Sequence, residues 1–310
     1  MNRLNGKLSR FILPLALSLS FMASLAQPAF AQLKVLACEP EWAALAQELA
    51  GDKISVSSAT TALQDPHHIE ARPSLIARAR NADLVVCTGS ELEVGWLPLL
   101  LTQSGNAKIQ PGTTGFLEAS QFVSKLEIPK VLDRSLGDVH PGGNPHIQLD
   151  PRNIAKVAQA LRDRLLQIDP ANAETYRARS AAFLARWRDA TQRWEAKAAP
   201  LKGISLVVHH KNMSYLNAWL GLREVGSLEP KPGMPPTSAH LADLVTRMQA
   251  EPAGVIVYSA FNDPKAAAFL SERTKIPAVM LPFTVGGSAA AKDLFGLFDD
   301  TLSRLLAVLK

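Results

Sequence analysis

Beyond its first thirty or so residues the chain holds no apolar run approaching the ~20 residues that a membrane-spanning helix needs. It also lacks an excess of charge. Of the formal net +5, three units belong to Arg3, Lys7 and Arg10, so residues 32–310 carry about +2, with no electrostatic footprint for nucleic acid. The arginines between Arg177 and Arg193 alternate with Glu174, Asp189 and Glu195 at helical spacing, the pattern of a solvated helix face. No His-Glu-x-x-His sequence occurs, so the zincin signature is missing. Cysteine is scarce too: only Cys38 and Cys87 are present. In an oxidising compartment such an isolated pair reads more readily as a disulfide than as a metal-ligand set, with two free buried thiols as the alternative. Each cysteine ends a short apolar run, residues 33–37 and 84–86. If these runs are neighbouring parallel strands, the sulfurs meet at the strands' C-terminal ends.

The first 31 residues read as an export signal: a basic start, an apolar stretch from Phe11 to Leu25 broken by Pro14, and a small-residue site at Ala29-Phe30-Ala31. Cleavage there starts the mature chain near Gln32, in the periplasm. No cysteine follows the site, so no lipid anchor is expected. About 280 residues then remain, enough for two cores.

From residue 33 to about 169, short β-rich runs alternate with helical stretches. Strands are expected at residues 34–37, 54–57, 84–87 and 107–110, and helices at 42–50, 73–80, 93–103 and 152–167. Residues 170–199 contain no glycine and space Tyr176, Phe183, Leu184, Trp187 and Trp194 for one long helix. The rhythm then restarts, with strands at 204–208, 255–258 and 278–281 and helices at 213–220, 238–249, 264–275 and 289–309. The expected fold is therefore α/β, two lobes that are each a parallel sheet flanked by helices. Residues 32–169 form the first lobe, 170–199 a linking helix and 200–310 the second lobe. Proline- and glycine-rich loops at 137–145 and 229–237 are where a site would sit.

Histidine is also rare, at seven residues, yet five of them fall in three remote segments. These are Asp65-Pro66-His67-His68-Ile69-Glu70, Asn144-Pro145-His146-Ile147-Gln148-Leu149-Asp150 and Val207-Val208-His209-His210. Neutral imidazole is the commonest metal ligand, and imidazoles this far apart converge only if folding assembles them. Two segments follow expected strands, and open α/β sheets bind ligands beyond the carboxyl ends of their strands. Adjacent side chains on extended backbone point opposite ways, so one member of each His-His pair faces elsewhere. Asp65, Glu70 and Asp150 could orient ligating rings. Each could equally be a turn or cap residue, Asp150-Pro151 having the form of an N-cap followed by proline at the first helical position.

The run Asp65 to Ser74, followed by Ala82-Asp83-Leu84-Val85-Val86 and by Gly89-Ser90-Glu91-Leu92-Glu93, resembles the zinc and manganese substrate-binding proteins of bacterial ABC transporters. Pro145-His146-Ile147-Gln148-Leu149-Asp150-Pro151 and His210-Lys211-Asn212-Met213-Ser214-Tyr215 resemble that family's second and third motifs. The likeness spans the whole mature chain. It implies two lobes bridged by one rigid helix, His67, His146 and His210 as metal ligands, and a permease partner in the inner membrane, with a monomer expected and no enzymatic activity. The chain departs from the family in two places. Pro282-Phe283-Thr284 carries no acid where relatives often supply a carboxylate, and the long His/Asp-rich loop is reduced at most to residues 138–143. The fourth position is thus open to water, Glu70, His140 or another carboxylate. Three nitrogens with few hard oxygens favour Zn(II) over Mn(II) or Fe(II). A zinc-dependent hydrolase, with Glu70 as base, is the rival class.

Overall fold

The computed structural model describes residue 1, residues 32–131, residue 133 and residues 137–309. The segment expected to direct export, apart from Met1, lies outside the described residues. In chain order the elements are β1 (Leu33–Ala37), α1 (Pro40–Ala50), β2 (Ile54–Ser58), α2 (Pro73–Asn81), β3 (Leu84–Cys87), α3 (Leu97–Ser104), β4 (Phe116–Glu118) and α4 (Pro151–Ile168). After α5 (Ala173–Ala198) follow β5 (Ser205–Val208), α6 (Ser214–Leu220), β6 (Arg223–Ser227), α7 (Ser238–Ala250), β7 (Val255–Ser259), α8 (Lys265–Thr274), β8 (Ala278–Leu281) and α9 (Leu294–Ala307).

The strands form two parallel four-stranded sheets, ordered β2-β1-β3-β4 and β6-β5-β7-β8. In each the strand order reverses between its two central strands, and that crevice is where an open α/β sheet receives ligands. β1 and β3 end at the first switch point and β5 and β7 at the second. The expected two-lobed α/β architecture is the one observed.

Three local expectations were displaced by side-chain hydrogen bonds. Residues 107–110 are not a strand: the Asn106 side chain accepts from the Lys108 amide and starts a tight 3-10 turn, and the fourth strand comes later, at β4. α3 begins at Leu97 rather than at residue 93, because the Glu93 carboxylate is occupied by the Thr88 and Gly89 amides. α9 begins at Leu294 rather than at residue 289, where Asp293 accepts from the Gly296 amide as N-cap. β6, absent from the sequence expectation, is an edge strand of polar character, Arg-Glu-Val-Gly-Ser.

Strand alternation divides each sheet between two cores. Val35 and Ala37 of β1 and Leu84 and Val86 of β3 face inward, while Leu36, Val85 and Cys87 pack outward against α2 and α3. The inward faces of both sheets belong to one continuous apolar cluster, threaded by α5. That helix, about 39 Å long at 1.5 Å per residue, buries Tyr176, Phe183, Trp187 and Trp194 along one stripe. Phe183 stacks on Trp187 at 5.2 Å, and Trp194 stacks on Phe298 of α9 at 4.8 Å. The indole N–H of Trp187 donates to the Pro151 carbonyl and that of Trp194 to Asp299, both at 2.8 Å, so neither polar tip is stranded. No helix among the described residues is long and apolar enough to cross a membrane.

Parallel pairing of Ala37 with Val86 brings the next residues, Cys38 and Cys87, together, and they form a disulfide with Cα atoms 4.7 Å apart. It closes a loop of 49 residues that includes β2 and the His67 segment. Chain entropy gives such a closure about 4 kcal/mol. The Cys38→Ala/Cys87→Ala variant is therefore expected to melt about 10 °C below the wild type in calorimetry; an unchanged melting temperature would contradict this account of the disulfide.

Candidate metal centre

His67 lies in the loop after β2. Asp65 folds that loop as a turn: its carboxylate accepts the His67 amide at 3.0 Å, and its carbonyl accepts the His68 amide at 3.1 Å. The Trp96 indole anchors the turn from behind by donating to the Pro66 carbonyl at 2.8 Å. The same Asp65 oxygen lies 2.7 Å from His67 Nδ1. Burial works against the Asp65 charge, but the hydrogen bonds it accepts from His67 outweigh it and hold the carboxyl at about 2. A carboxylate can only accept, so Nδ1 carries the hydrogen and the lone pair is on Nε2. That Nε2 is buried and has no partner.

His210 follows β5 by two residues. Its Nδ1 lies 2.7 Å from Glu229 Oε2, and this oxygen also accepts the Gly233 amide at 2.9 Å. An oxygen already acting as acceptor again places the ring hydrogen on Nδ1 and the lone pair on Nε2. Glu229 was missed by the sequence reading. The available signal was an acid at the head of the Pro/Gly-rich loop after β6, but nothing local tied it to His210, 19 residues away.

His146 precedes a tight turn, Ile147–Leu149, that leads into α4. Asn144 positions it: the Asn144 side chain accepts the His146 amide at 3.0 Å and donates to the Lys211 carbonyl at 2.8 Å, while the Tyr215 hydroxyl donates to the Asn144 carbonyl at 2.9 Å. One asparagine thus joins the second histidine segment to the third. His146 Nδ1 is buried without a partner. Burial, followed by the fields of His67, His210 and His140, pushes its pKa well below the imidazole range, so the ring is neutral.

The structure brings these three side chains together. One candidate donor atom from each of His67, His146 and His210 lies within 4.8 Å of the others. A single tetrahedral zinc with Zn–N near 2.05 Å requires separations of roughly 3.3 Å, so small rotations close the gap. The ring centroids stand 5.2 to 5.4 Å apart, and all three residues are buried. One member of each His-His pair lies outside the cluster, although both pairs sit in turns rather than on extended backbone. His68 is exposed, and His209 turns to a different cavity lined by Pro235, Asp263 and Phe269.

The other acids sort differently. Glu70 is exposed and outside the cluster. Asp150 caps α4, accepting the Arg152 amide at 2.9 Å, and pairs with the Arg152 guanidinium at 2.7 Å. Where an acid might have stood after β8, Phe283 sets its ring 5.7 Å from that of His146. His140, by contrast, brings its ring to 5.4 Å from His67. Cys38, Cys87 and Glu93 also form a close triplet, but both sulfurs are consumed by the disulfide.

Beside the first switch point lie three buried carboxyls that the sequence gave no reason to link. Glu93 accepts the Thr88 amide at 2.7 Å, Glu39 accepts the Thr88 hydroxyl at 3.0 Å, and Glu41 accepts the Thr284 hydroxyl from the loop after β8. Burial raises all three, Glu41 and Glu93 to about 7, and for Glu39 the neighbouring Glu93 and Glu41 add to the rise. At neutral pH they share protons.

The fold and the cluster together define a class: a two-lobed α/β protein with convergent imidazoles between its sheets. The chain belongs to the family of the zinc-uptake complex component A, periplasmic, whose model matches residues 35–308. It is 23% identical over 268 residues to the high-affinity zinc uptake system protein ZnuA of Bacillus subtilis (strain 168), covering 85% of this chain and 82% of that protein. Against the zinc-binding lipoprotein AdcA of Streptococcus pneumoniae R6 it is 24% identical over 230 residues, 74% of this chain but 45% of that longer protein. A crystal structure of ZnuA shares the fold, with a TM-score of 0.73 at 21% identity, covering 89% of this chain and 100% of that one. Relatives named for manganese, in Halalkalibacterium halodurans, and for iron, in Yersinia pestis, each match 65% of the chain.

The buried carboxyls generate a pH dependence. The unfolded chain ionises Glu41 near 4.5, whereas the folded protein keeps its proton up to about 7. The stability from this group is thus complete below 4.5 and lost as pH rises through 7. Glu41→Gln, which keeps the contact to Thr284 without the charge, is expected to raise the melting temperature at pH 8 and change it little at pH 5. An equal shift at both pH values would contradict the assignment.

Proposed function

We propose that His67, His146 and His210 bind one divalent transition metal ion between the lobes, zinc before manganese or iron, and that the protein delivers it to an ABC permease. One observation carries the reading: three imidazoles from segments far apart in sequence converge, buried, with the lone pairs of His67 and His210 set on Nε2 by acceptors behind them. Neutral nitrogen donors without a carboxylate among them suit zinc, whereas manganese favours oxygen. Family membership supports uptake as the purpose. The cavity beside His146 and His210, about 180 Å³, has room for an ion with a few waters, and a wider cleft of about 690 Å³ lies beside His67.

Export by cleavage near Gln32 into the periplasm, and action as a monomer without catalysis, belong to the same proposal. A hydrolase would need a base, and Glu70, the acid nominated for it, faces solvent. Proton and metal compete for the same ring nitrogens, so affinity falls as the solution is acidified. In chelator competition at neutral pH, His67→Ala and His146→Ala are each expected to lower zinc affinity by at least about 100-fold. Wild-type affinity in both variants would overturn the reading.

A further inference from the structure

Cys38 directly follows β1 and Cys87 ends β3, at the point where the first sheet reverses its strand order, and the turn after β3 brings Glu93 back against them. A donor atom from each of the three lies within 4.8 Å of the others, and all three residues are buried. The geometry points to a second metal site that excludes the disulfide: when Cys38 and Cys87 are thiols, their sulfurs and the Glu93 carboxylate bind a divalent ion, zinc first, at this switch point. Zinc takes thiolate and carboxylate ligands together, whereas manganese is poorly served by sulfur. In the oxidised protein the same sulfurs are bonded to each other and the site is closed. It shares no residue with the histidine centre.

The surroundings are acidic and lack a counter-charge. Glu39, Glu41 and Glu93 are each 2% exposed or less, and no basic side chain among the described residues forms an ion pair with any of them. Burying acid in this way is costly unless a proton or a cation neutralises it. Glu39 follows Cys38 in the chain and lies against Glu93. Its Oε2 accepts the Thr88 hydroxyl at 3.0 Å, but its Oε1 is buried with no hydrogen-bond partner. The Trp42 indole donates to the Thr88 hydroxyl oxygen at 2.8 Å, so that hydroxyl has its one hydrogen committed to Glu39 Oε2 and none for Oε1. The Thr88 and Gly89 amides hold the Glu93 carboxylate in place, as hydrogen bonds behind a ligand do.

Two thiolates on one tetrahedral zinc stand about 3.8 Å apart at the usual Zn–S length. Rotation about the Cα–Cβ bonds opens the sulfurs to that separation while the Cα atoms stay 4.7 Å apart in parallel register. Each thiol releases a proton to solvent as it ligates. Oxidation by a disulfide reagent forms the Cys38–Cys87 bond, expels the ion and reduces the reagent to two thiols, which take two protons from water; the two electrons lost by the cysteines are those the reagent gains. Both sulfurs are at most 1% exposed, so this exchange is slow once the chain has folded. The order in which the chain folds, meets zinc and meets an oxidant therefore decides which state forms. The ion closes the same 49-residue loop as the disulfide and substitutes for that crosslink.

The test uses residues 32–310 made in a reducing cytoplasm, with two free thiols verified by thiol titration, beside the same chain oxidised to the disulfide. His67→Ala/His146→Ala silences the histidine centre in both. Co(II) is the probe, because its thiolate complexes have an intense near-ultraviolet charge-transfer band that imidazole complexes lack. The reduced protein is expected to show that band at one equivalent and the oxidised protein to show none. Cys38→Ser is expected to abolish it, and Glu93→Gln to weaken cobalt binding at least about 10-fold. As a second readout, zinc is expected to raise the melting temperature of the reduced protein and leave that of the oxidised protein unchanged. With all histidines intact, the expected zinc stoichiometry is two when reduced and one when oxidised; two and none would keep this inference and overturn the histidine centre. Absence of both the band and the zinc-dependent shift in protein with two free thiols would overturn the site. Unchanged cobalt affinity in Glu93→Gln would overturn it too, leaving only a thiol pair that binds metal adventitiously.

Discussion

Two short hydrogen bonds, Asp65 to His67 and Glu229 to His210, each 2.7 Å, decide which way the centre faces. An acceptor behind Nδ1 fixes both the tautomer and the ring orientation, leaving an Nε2 lone pair for the site. The arrangement is unfavourable without a cation. A buried nitrogen with no hydrogen-bond partner costs about 1–3 kcal/mol, and His67 Nε2, His140 Nε2 and His146 Nδ1 are all in that condition. The fold holds them there, and an ion would satisfy several at once. Affinity in such a site comes partly from relieving what folding has imposed.

What holds the rings is the scaffold around two switch points. The ends of β1 and β3 are joined through Cys38 and Cys87, and the ends of β5 and β7 are in register beside them in the second sheet. α5 threads one apolar cluster through both lobes, and Asn144 accepts from the His146 amide while also bonding to Lys211 and Tyr215 after β5. A continuous core in which tryptophans stack on phenylalanines resists wide opening. Motion is cheaper in the loops that carry the histidines, which suits a small cargo needing few contacts.

How much of this could be read from the residues depended on how local each signal was. The lobes, the long helix and the convergence of three histidine segments were legible because strand, helix and cap signals lie within a few residues of one another, as at Asp150-Pro151. β4, three residues long, is too short to show a period, and β6 is a polar edge. Glu229, which braces His210, and the buried Glu39, Glu41 and Glu93 were not legible as partners. Their roles arise from contacts across the fold, such as Glu41 with Thr284, 243 residues away. Adjacent histidines point to different places, but in turns, so the alternation of extended backbone is not what separates them.

The donor set also bears on the choice of ion. Imidazole accepts zinc, copper, nickel and iron, and raw affinity follows the divalent stability order, so geometry and supply do the selecting. A nitrogen-rich, buried centre weakens manganese most. The central claim is that one ion is shared by residues remote in sequence. The direct measurement is anomalous diffraction at the zinc edge from crystals of the mature protein grown with one equivalent of zinc. A single strong peak about 2.0–2.1 Å from a ring nitrogen of each of His67, His146 and His210 is the expected result. A principal peak elsewhere, with these three rings left unligated, would contradict the account.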